Sequence, residues 1–496
     1  MDRRYILSRH EELRGLRVQE EPAWRDIAEM LSPEDNQFTG PKTKADYGAI
    51  YDSTPLYAHD DFVSGLFGQA TNPANRWFLL GDADPEMSAY KPVKDWLWAV
   101  SNIIGYSFQP AVSPFYAEVP AWFADIGAFG NGALYTQEFN DGRILDKSIP
   151  LRELYLERDV LGDLDTVHRA YRMSRRQAAR VFGESPGLSG MQGGEVTIIH
   201  AVFRNDDWKP EKLDSHRFHS VYCSPDVQGL WRVSGYREMP YHIPAWQRGI
   251  GPHWGRGPGH RVRADMRTLN EMERVHLVAA NFAAEPPLLV HQDSDLTAAD
   301  IEPNALLHGG ISEQGKELAR VLNRSQNLQL SMQQSEQRRK AIRDGFYFSM
   351  MQVVNRPQMT ATEVLGYKEE NLRLMGPNLA RIQHGGLSPL IARRFAMLER
   401  MRVLPPPPRE LEGRALSVQY ISPLALAQKA SEGRAVMQLV GATAQIAQFR
   451  LEVQRHRAQA QQRQTQLADA AQQVEIAATA SHAAQAATLS GGRRAA

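Results

Sequence analysis

A double proline, Pro286-Pro287, separates a long apolar-periodic segment from a stretch that offers almost nothing to a core. Upstream, Met266, Leu269, Met272, Val275, Val278 and Phe282 recur at helical spacing and predict a helix over Arg263–Glu285. Proline donates no backbone hydrogen bond, and its ring also pushes the preceding residue out of helical geometry, so two in succession stop the helix. Residues 288–325 read as irregular, with only LLV (288–290) and ALL (305–307) between polar turns. A second long helix is predicted over about Asn327–Met351. The segment between the two helices has too few apolar residues to bury a core alone.

The rest of the chain divides by periodicity. Ile6, Leu13, Leu16, Trp24, Ile27 and Leu31 predict one helix over 2–31, ended by SPED (32–35). A polar loop over 37–48 and an apolar-periodic stretch over Tyr51–Phe67 follow, and NPANRW (72–77) breaks the latter. Helices are expected over 91–108, opening at Pro92, and over Ser113–Gly127. From Gly132 to about Ile243 the pattern shifts to short β-branched and aromatic runs: ALYTQEF (133–139), TIIHAVF (197–203), FHSVYC (218–223) and LWRVSGY (230–236). MSRRQAARVFG (173–183) reads as a short helix with a glycine stop, which makes this middle part mixed α+β. Helices return at 360–382 and 388–402. After Phe449 there is no aromatic residue or proline, and Ala and Gln dominate, which favours a long helix ordered by oligomer contacts and frayed from about Ser481.

A length of 496 residues implies two or more structural units. An apolar content of 42% with 23% charged residues is that of a folded soluble chain. The formal net charge is zero, so contact with nucleic acid cannot rest on a globally basic surface and needs local rings or grooves. The single cysteine, Cys223, excludes an intrachain disulfide framework and a thiolate metal cluster, and it fits folding in a reducing cytoplasm. The N-terminus is charged and has no apolar signal core, and no run approaches the about 20 apolar residues of a membrane span. The expectation is a cytosolic, soluble protein with no membrane partner.

No catalytic signature stands out. GIGPHWGRGPGH (249–260) lacks both GK[ST] and GxGxxG spacing, and Pro252 and Pro258 remove donors that a phosphate cradle requires. It reads as a linker into the 263–285 helix. HQDSD (291–295) lacks the glycine and glutamate of a calcium loop and reads as a solvated turn. The 15 histidines form no HExxH, no GxSxG elbow occurs, and Cys223 in a β-like run reads as a small buried residue. No catalytic residue, metal ligand or cofactor is expected. The one polar cluster of interest is Arg338, Arg339, Lys340 and Arg343 on the 327–351 helix, preceded by the nearly stripe-free QQSEQ (333–337). A helix that is polar all round bridges solvent, forms ion pairs or lines a wet channel.

Read in order, several blocks resemble the portal (head-to-tail connector) proteins of short-tailed bacteriophages. They are EPAWRDIAEMLSP (21–33), YDSTPLYAHDDFVSGLFGQATNPANRWFLL (51–80), DIGAFGNGALY (125–135) and the stretch 149–183. LNEMERVHLVAANFAAEPPLLV (269–290), MTATEVLGYKEENLRLMGP (359–377), SPLI (388–391), the run Pro405–Pro408 and YISPLALAQKA (420–430) follow in family order. Together they cover roughly residues 10–435. Three features depart from the pattern: GRGPGHR (255–261), the pair Gly385-Gly386, where a kink is expected, and a shortened segment after Ala447.

The resemblance implies a mainly helical α+β portal fold of wing, stem, clip and crown that assembles as a dodecameric ring. In these terms 1–262 is wing, 263–285 a stem helix, 286–326 the clip and 327–351 the second stem helix. Residues 352–359 form the channel loop, 360–409 wing helices, and 410–496 the crown with the Ala/Gln-rich helix. Arg338, Arg339, Lys340, Arg343, Asn355 and Arg356 become candidates to face DNA in the tunnel. Implied partners are other copies of the chain, double-stranded DNA passing without sequence readout, the terminase large subunit, the head-tail adaptor and tail proteins, and the major capsid and scaffolding proteins. The implied place is the portal vertex of the virion, after assembly in the host cytoplasm, with a role in nucleating the procapsid. A nucleotide enzyme using the 249–260 glycines, and an elongated helical scaffold or tail-tube protein, are the rival readings.

Overall fold

The computed structural model describes residues 2–33, 38, 47–139, 142–183, 194–209, 215–249, 251, 253–284, 286, 288–292, 311–312, 314–321, 328–348, 375–411 and 413–421. The chain divides into a unit Met1–Ser422 and a unit Pro423–Ala496, and the described residues all belong to the first.

The single N-terminal helix expected over 2–31 is two helices, α1 (Arg3–Val18) and α2 (Glu21–Leu31). Pro22 lies in the first turn of α2, where its ring excludes a helix continuing from α1. Arg17 fixes the corner. Its fully buried guanidinium donates to Glu21 and to the carbonyls of Arg152, Leu154 and Phe38, and it lies 3.8 Å from the centre of the Tyr155 ring.

Helices α3 (Thr54–Ala70), α4 (Pro85–Ala89), α5 (Lys91–Ser107) and α6 (Phe115–Phe129) follow, with strand β1 (Phe78–Asp82) between α3 and α4. Their apolar faces meet in one core that buries Trp24, Phe62, Leu97, Ile104, Phe115, Trp122 and Phe123. Helix α6 stops at Gly130, whose positive φ of 83° suits a residue without Cβ.

The middle part is antiparallel β. Strands β2 (Ala133–Glu138) and β3 (Ile144–Ile149) form a hairpin, joined on the other side of β2 by β9 (Tyr241–His242). Strands β4 (Leu154–Arg158), β5 (Leu164–Ser174), β6 (Glu195–Arg204), β7 (Phe218–Cys223) and β8 (Leu230–Tyr236) form a five-stranded sheet in sequential order. Alternation along β6 decides which helix covers which face. Val196 and Ile198 pack with Ala178 of α7 (Arg175–Phe182) and Trp231. Ile199 and Ala201 pack with Ile6 of α1, Val221 and Cys223. Cys223 is the buried small residue expected, and burial pushes its thiol up to about 11. Strand β5 escaped the sequence pattern because its charges are hidden in pairs: Arg169 bonds Glu153 at 2.9 Å and lies over the Tyr171 ring.

The glycine-rich segment is more than a linker. It turns the hairpin of β10 (Gln247–Arg248) with β11 (Gly255–Arg256), and the next helix, α8, starts at Pro258 rather than 263, running Pro258–Ala284. A Cβ on Gly257 would lie 2.6 Å from the Ile126 carbonyl oxygen and 2.7 Å from the Gly130 nitrogen. These glycines let two backbones touch at the end of α6; they serve packing rather than anion binding.

After α8 come a two-stranded ladder, β12 (Leu288–Val290) with β13 (Ala319–Val321), and helix α9 (Leu328–Gly345). A helical stretch over 375–382 runs through a π turn, Gln383–Leu387, into α10 (Ser388–Arg400). The expected irregularity at Gly385-Gly386 is this π turn. Any Cβ on Gly386 would lie 3.0 Å from the Trp122 ring and from Pro244. Strand β14 (Leu416–Tyr420) returns to pair with β1 across the whole unit.

A buried polar network ties α10 to the β2–β3 hairpin. Arg394 pairs with Asp146, both fully buried, and Asp146 also accepts from Thr136 Oγ1 at 2.8 Å and from Ser113. Arg393 reaches the Thr136 carbonyl and Glu238, and Arg400 bridges Glu138 and Glu238.

Candidate nucleic-acid interface

Helices α8 and α9 form an antiparallel pair. His276 meets Ser331 at 2.6 Å near one end, and Arg338 meets Asp265 at 2.5 Å near the other. Spacing on α9 sets its faces. Ser335, Arg339, Ile342 and Phe346 recur every three or four residues and point inward, with Ser335, Ile342 and Phe346 buried. Gly345 lets α9 close onto α8, since a Cβ there would collide with Val262.

The four basic residues expected on this helix divide by that geometry. Arg339 is held inside the chain: it bonds Asp52 ahead of α3 at 2.8 Å, Glu273 of α8 at 2.9 Å and Glu336 one turn back at 2.6 Å. Burial works against its charge, but the bonds from Asp52 and Glu336 outweigh this and hold the guanidinium above its ordinary value. Burial would likewise raise the Asp52 carboxyl, yet its hydrogen bonds with Thr54 and Arg339 bring it below the usual carboxylate range. Arg338 spans α9 and α8 through Asp265 with half of its side chain in solvent. Lys340 and Arg343 are exposed and have no ion pair among the described residues; the Arg343 guanidinium lies 6.0 Å from the Phe348 ring centre. Asn355 and Arg356 lie outside the described residues. So do most of the segment assigned to the clip, the channel loop and most of the crown.

The helix expected over 263–285 is α8, and its apolar repeat meets two different surroundings. Its apolar repeat holds for the first half, where Val262, Met266 and Leu269 are buried. In the second half Val275, Val278 and Phe282 are each more than 40% exposed, as is Leu277. Leu330 and Met332 of α9, Leu289 and Val290 of β12 and Ile311 extend the exposed apolar surface. The period was right, but the surface that would cover this stripe is not supplied by the described part of the chain.

Among the described residues no group of three or more His, Cys, Asp or Glu could hold a metal ion, and no helix is long and apolar enough to cross a membrane. Comparison with known proteins agrees with the family resemblance carried by the sequence blocks. The family model for bacteriophage head to tail connecting proteins matches residues 3–472. The portal protein of Salmonella phage epsilon15 is 29% identical over 472 residues, covering 90% of this chain and 84% of that protein. The probable portal protein of Bordetella phage BPP-1 is 28% identical over 470 residues, covering 91% and 84%. The chain belongs to the bacteriophage head to tail connecting protein family.

Proposed function

We propose that this protein is a phage portal that closes into a dodecameric ring at one capsid vertex and serves as the conduit for genome packaging and ejection. Its relatives are named as portal proteins, and membership of a connecting family makes it a structural component of the virion rather than an enzyme. The observation that carries the ring is the α8–α9 pair, whose distal halves expose Val275, Leu277, Val278 and Met332. A helix pair that leaves an apolar stripe in water gains stability when the same pair of a neighbouring copy covers it.

In this reading α8 and α9 are the stem, and the residues between them form the clip, which receives the terminase large subunit during packaging and then the adaptor and tail. The wing meets the major capsid and scaffolding proteins, and the ring nucleates procapsid assembly. Of the basic residues on α9, Lys340 and Arg343 are the ones left to face DNA, because Arg339 is committed to Asp52 and Glu273. Repeated around a ring, each exposed charge becomes a belt that focuses potential inside a low-dielectric channel. A zero net charge suits a passage, since many phosphate contacts would hold DNA rather than let it slide.

Electron microscopy of the purified protein tests this directly. Closed rings with a central hole, and no ATP hydrolysis surviving repurification, are expected. Monomers or filaments alone, or an intrinsic ATPase, would overturn the reading.

A further inference from the structure

The solvent side of α5 carries a second unpartnered surface, away from the stem helices. Val93, Leu97, Val100 and Ile104 bury one face of this helix. On the other face Lys94, Trp98, Asn102 and Tyr106 follow one another at four-residue intervals and form a ridge. Trp98 is 57% exposed and Tyr106 64% exposed, large values for aromatic rings on a folded protein. The Trp98 ring does not hang free. The Arg76 guanidinium lies 5.3 Å from its centre and also bonds Asn102, which holds the indole in place.

Beyond Tyr106 the ridge falls into a hollow of about 740 Å³ whose walls include Val112, Phe139, Ile144, Met401 and Val403. Its lining is mainly apolar. It continues past Phe139, which is 40% exposed, into a second hollow of about 510 Å³. Exposed aromatic anchors beside an apolar groove are the anatomy of a protein-binding surface. Pre-ordering of Trp98 removes part of the entropy that binding would otherwise cost. Charge selects the occupant. Arg76, Lys91 and Lys94 outnumber the exposed Asp95 along the ridge and Arg143 borders the far hollow, while Glu138, the carboxylate in the groove wall, is already bonded to Arg400.

We propose that this face docks an acidic amphipathic helix of another protein. The helix lays its apolar side between Tyr106 and Phe139 and its carboxylates against Arg76 and Lys94. The surface goes beyond the ring and the tunnel, since neither α8 nor α9 contributes to it.

The test uses the assembled full-length protein and three fluorescent probes followed by anisotropy. They are a Leu/Glu peptide with leucines at helical spacing, the same peptide with Lys in place of Glu, and a DNA duplex. The Leu/Glu peptide is expected to bind, and Trp98→Ala with Tyr106→Ala should weaken it at least tenfold while ring size and thermal midpoint stay unchanged. Arg76→Glu should weaken it further and raise binding of the Leu/Lys peptide. Equal binding of both peptides to wild type, binding indifferent to Trp98 and Tyr106, or no binding would overturn the proposal. A duplex that displaces the peptide through the same residues would overturn it in favour of nucleic acid. Loss of rings in the Trp98/Tyr106 variant would assign the face to a second copy of the chain instead.

Discussion

Helix α8 passes through two different environments, and the contrast divides the molecule. Over its first half Val262, Met266 and Leu269 share one core with Trp24, Phe129 and Ile342. Over its second half Val275 and Val278 keep the same helical period but are each more than 40% exposed. The apolar area is of similar kind in both halves; only the partner differs. Burying a side chain of this size contributes about 1.5–3 kcal/mol, so the first half is stabilised within the chain, and in the proposed ring the second gains its share from a neighbouring copy. The surroundings of the first half are therefore expected to respond to mutation as a folded monomer does, and, on the proposed ring, the distal half as an interface does.

The strongest way to break that contrast lies where α10 meets the β2–β3 hairpin. Arg394 and Asp146 are both fully buried, and burial alone lowers the Arg394 guanidinium against the opposing pull of Asp146. Arg394→Met leaves Asp146 as an unpaired buried charge and should destabilise the subunit by about 3–5 kcal/mol in a denaturant titration. Replacing both with well-packed apolar residues should recover much of the loss. A single variant as stable as wild type would show that this network does not hold α10 to the hairpin.

Next in size is a pH effect where α1 meets the five-stranded sheet. His10 stacks on His168 with ring centres 5.7 Å apart, and burial, with Arg17 acting on His10 and His10 on His168, lowers them to about 4 and about 3. Both are therefore neutral in the folded protein at neutral pH, while in the unfolded chain they take up protons near the ordinary value of about 6.5. As pH falls from about 6.5 towards 4, the unfolded state binds more protons and stability declines; below about 3 this contribution levels off. The expected loss is on the order of a few kcal/mol between pH 7 and pH 4. In His10→Phe with His168→Phe the decline over that window should be shallower. A pH profile identical to wild type would remove this pair as its cause.

The same contrast explains how much could be read from the sequence. Periodicity located α3, α5, α6, α8 and α9 because each buries one stripe along at least part of its length. The corner between α1 and α2 was signalled only by Pro22, inside an otherwise unbroken apolar repeat. Strand β5 was hidden because Arg169 and His168 look solvent-facing until their tertiary partners are known. Strands β1 and β14 pair across more than three hundred residues, and no local pattern encodes such a pairing. Among the basic residues, composition and spacing found the cluster but could not separate Arg339, which is turned inward onto Asp52 and Glu273, from Lys340 on the outer face. That separation depends on which helices lie beneath α9.

On the distal half of α8, Val275→Ser with Val278→Ser should change subunit stability by no more than about 0.5 kcal/mol, the usual range for exposed sites. Assembly should respond instead. Each about 1.4 kcal/mol lost per contact raises the concentration needed for association tenfold. Mass photometry across a dilution series should show rings giving way to monomers at higher concentration than in wild type. Unchanged assembly together with a large fall in the thermal midpoint would mean that the distal half of α8 belongs to a core of its own chain.

The finest division of the comparison lies on α9 itself. Arg339→Gln strips ion pairs from Asp52 and Glu273 and should cost the subunit about 1–3 kcal/mol, as for loss of hydrogen bonds to charged groups. Lys340→Gln with Arg343→Gln removes two exposed charges and should leave stability and ring size as they are. If these two face the tunnel, the double variant loses one belt of positive charge per position. Packaged genome length, or retention of DNA in purified particles, should then fall while prohead yield does not. The two outcomes are separable in one experiment, because an Arg339 defect lowers the yield of rings before DNA enters and a tunnel defect appears only afterwards. Normal DNA content in the Lys340/Arg343 variant would leave α9 as a structural helix whose outer charges serve solubility.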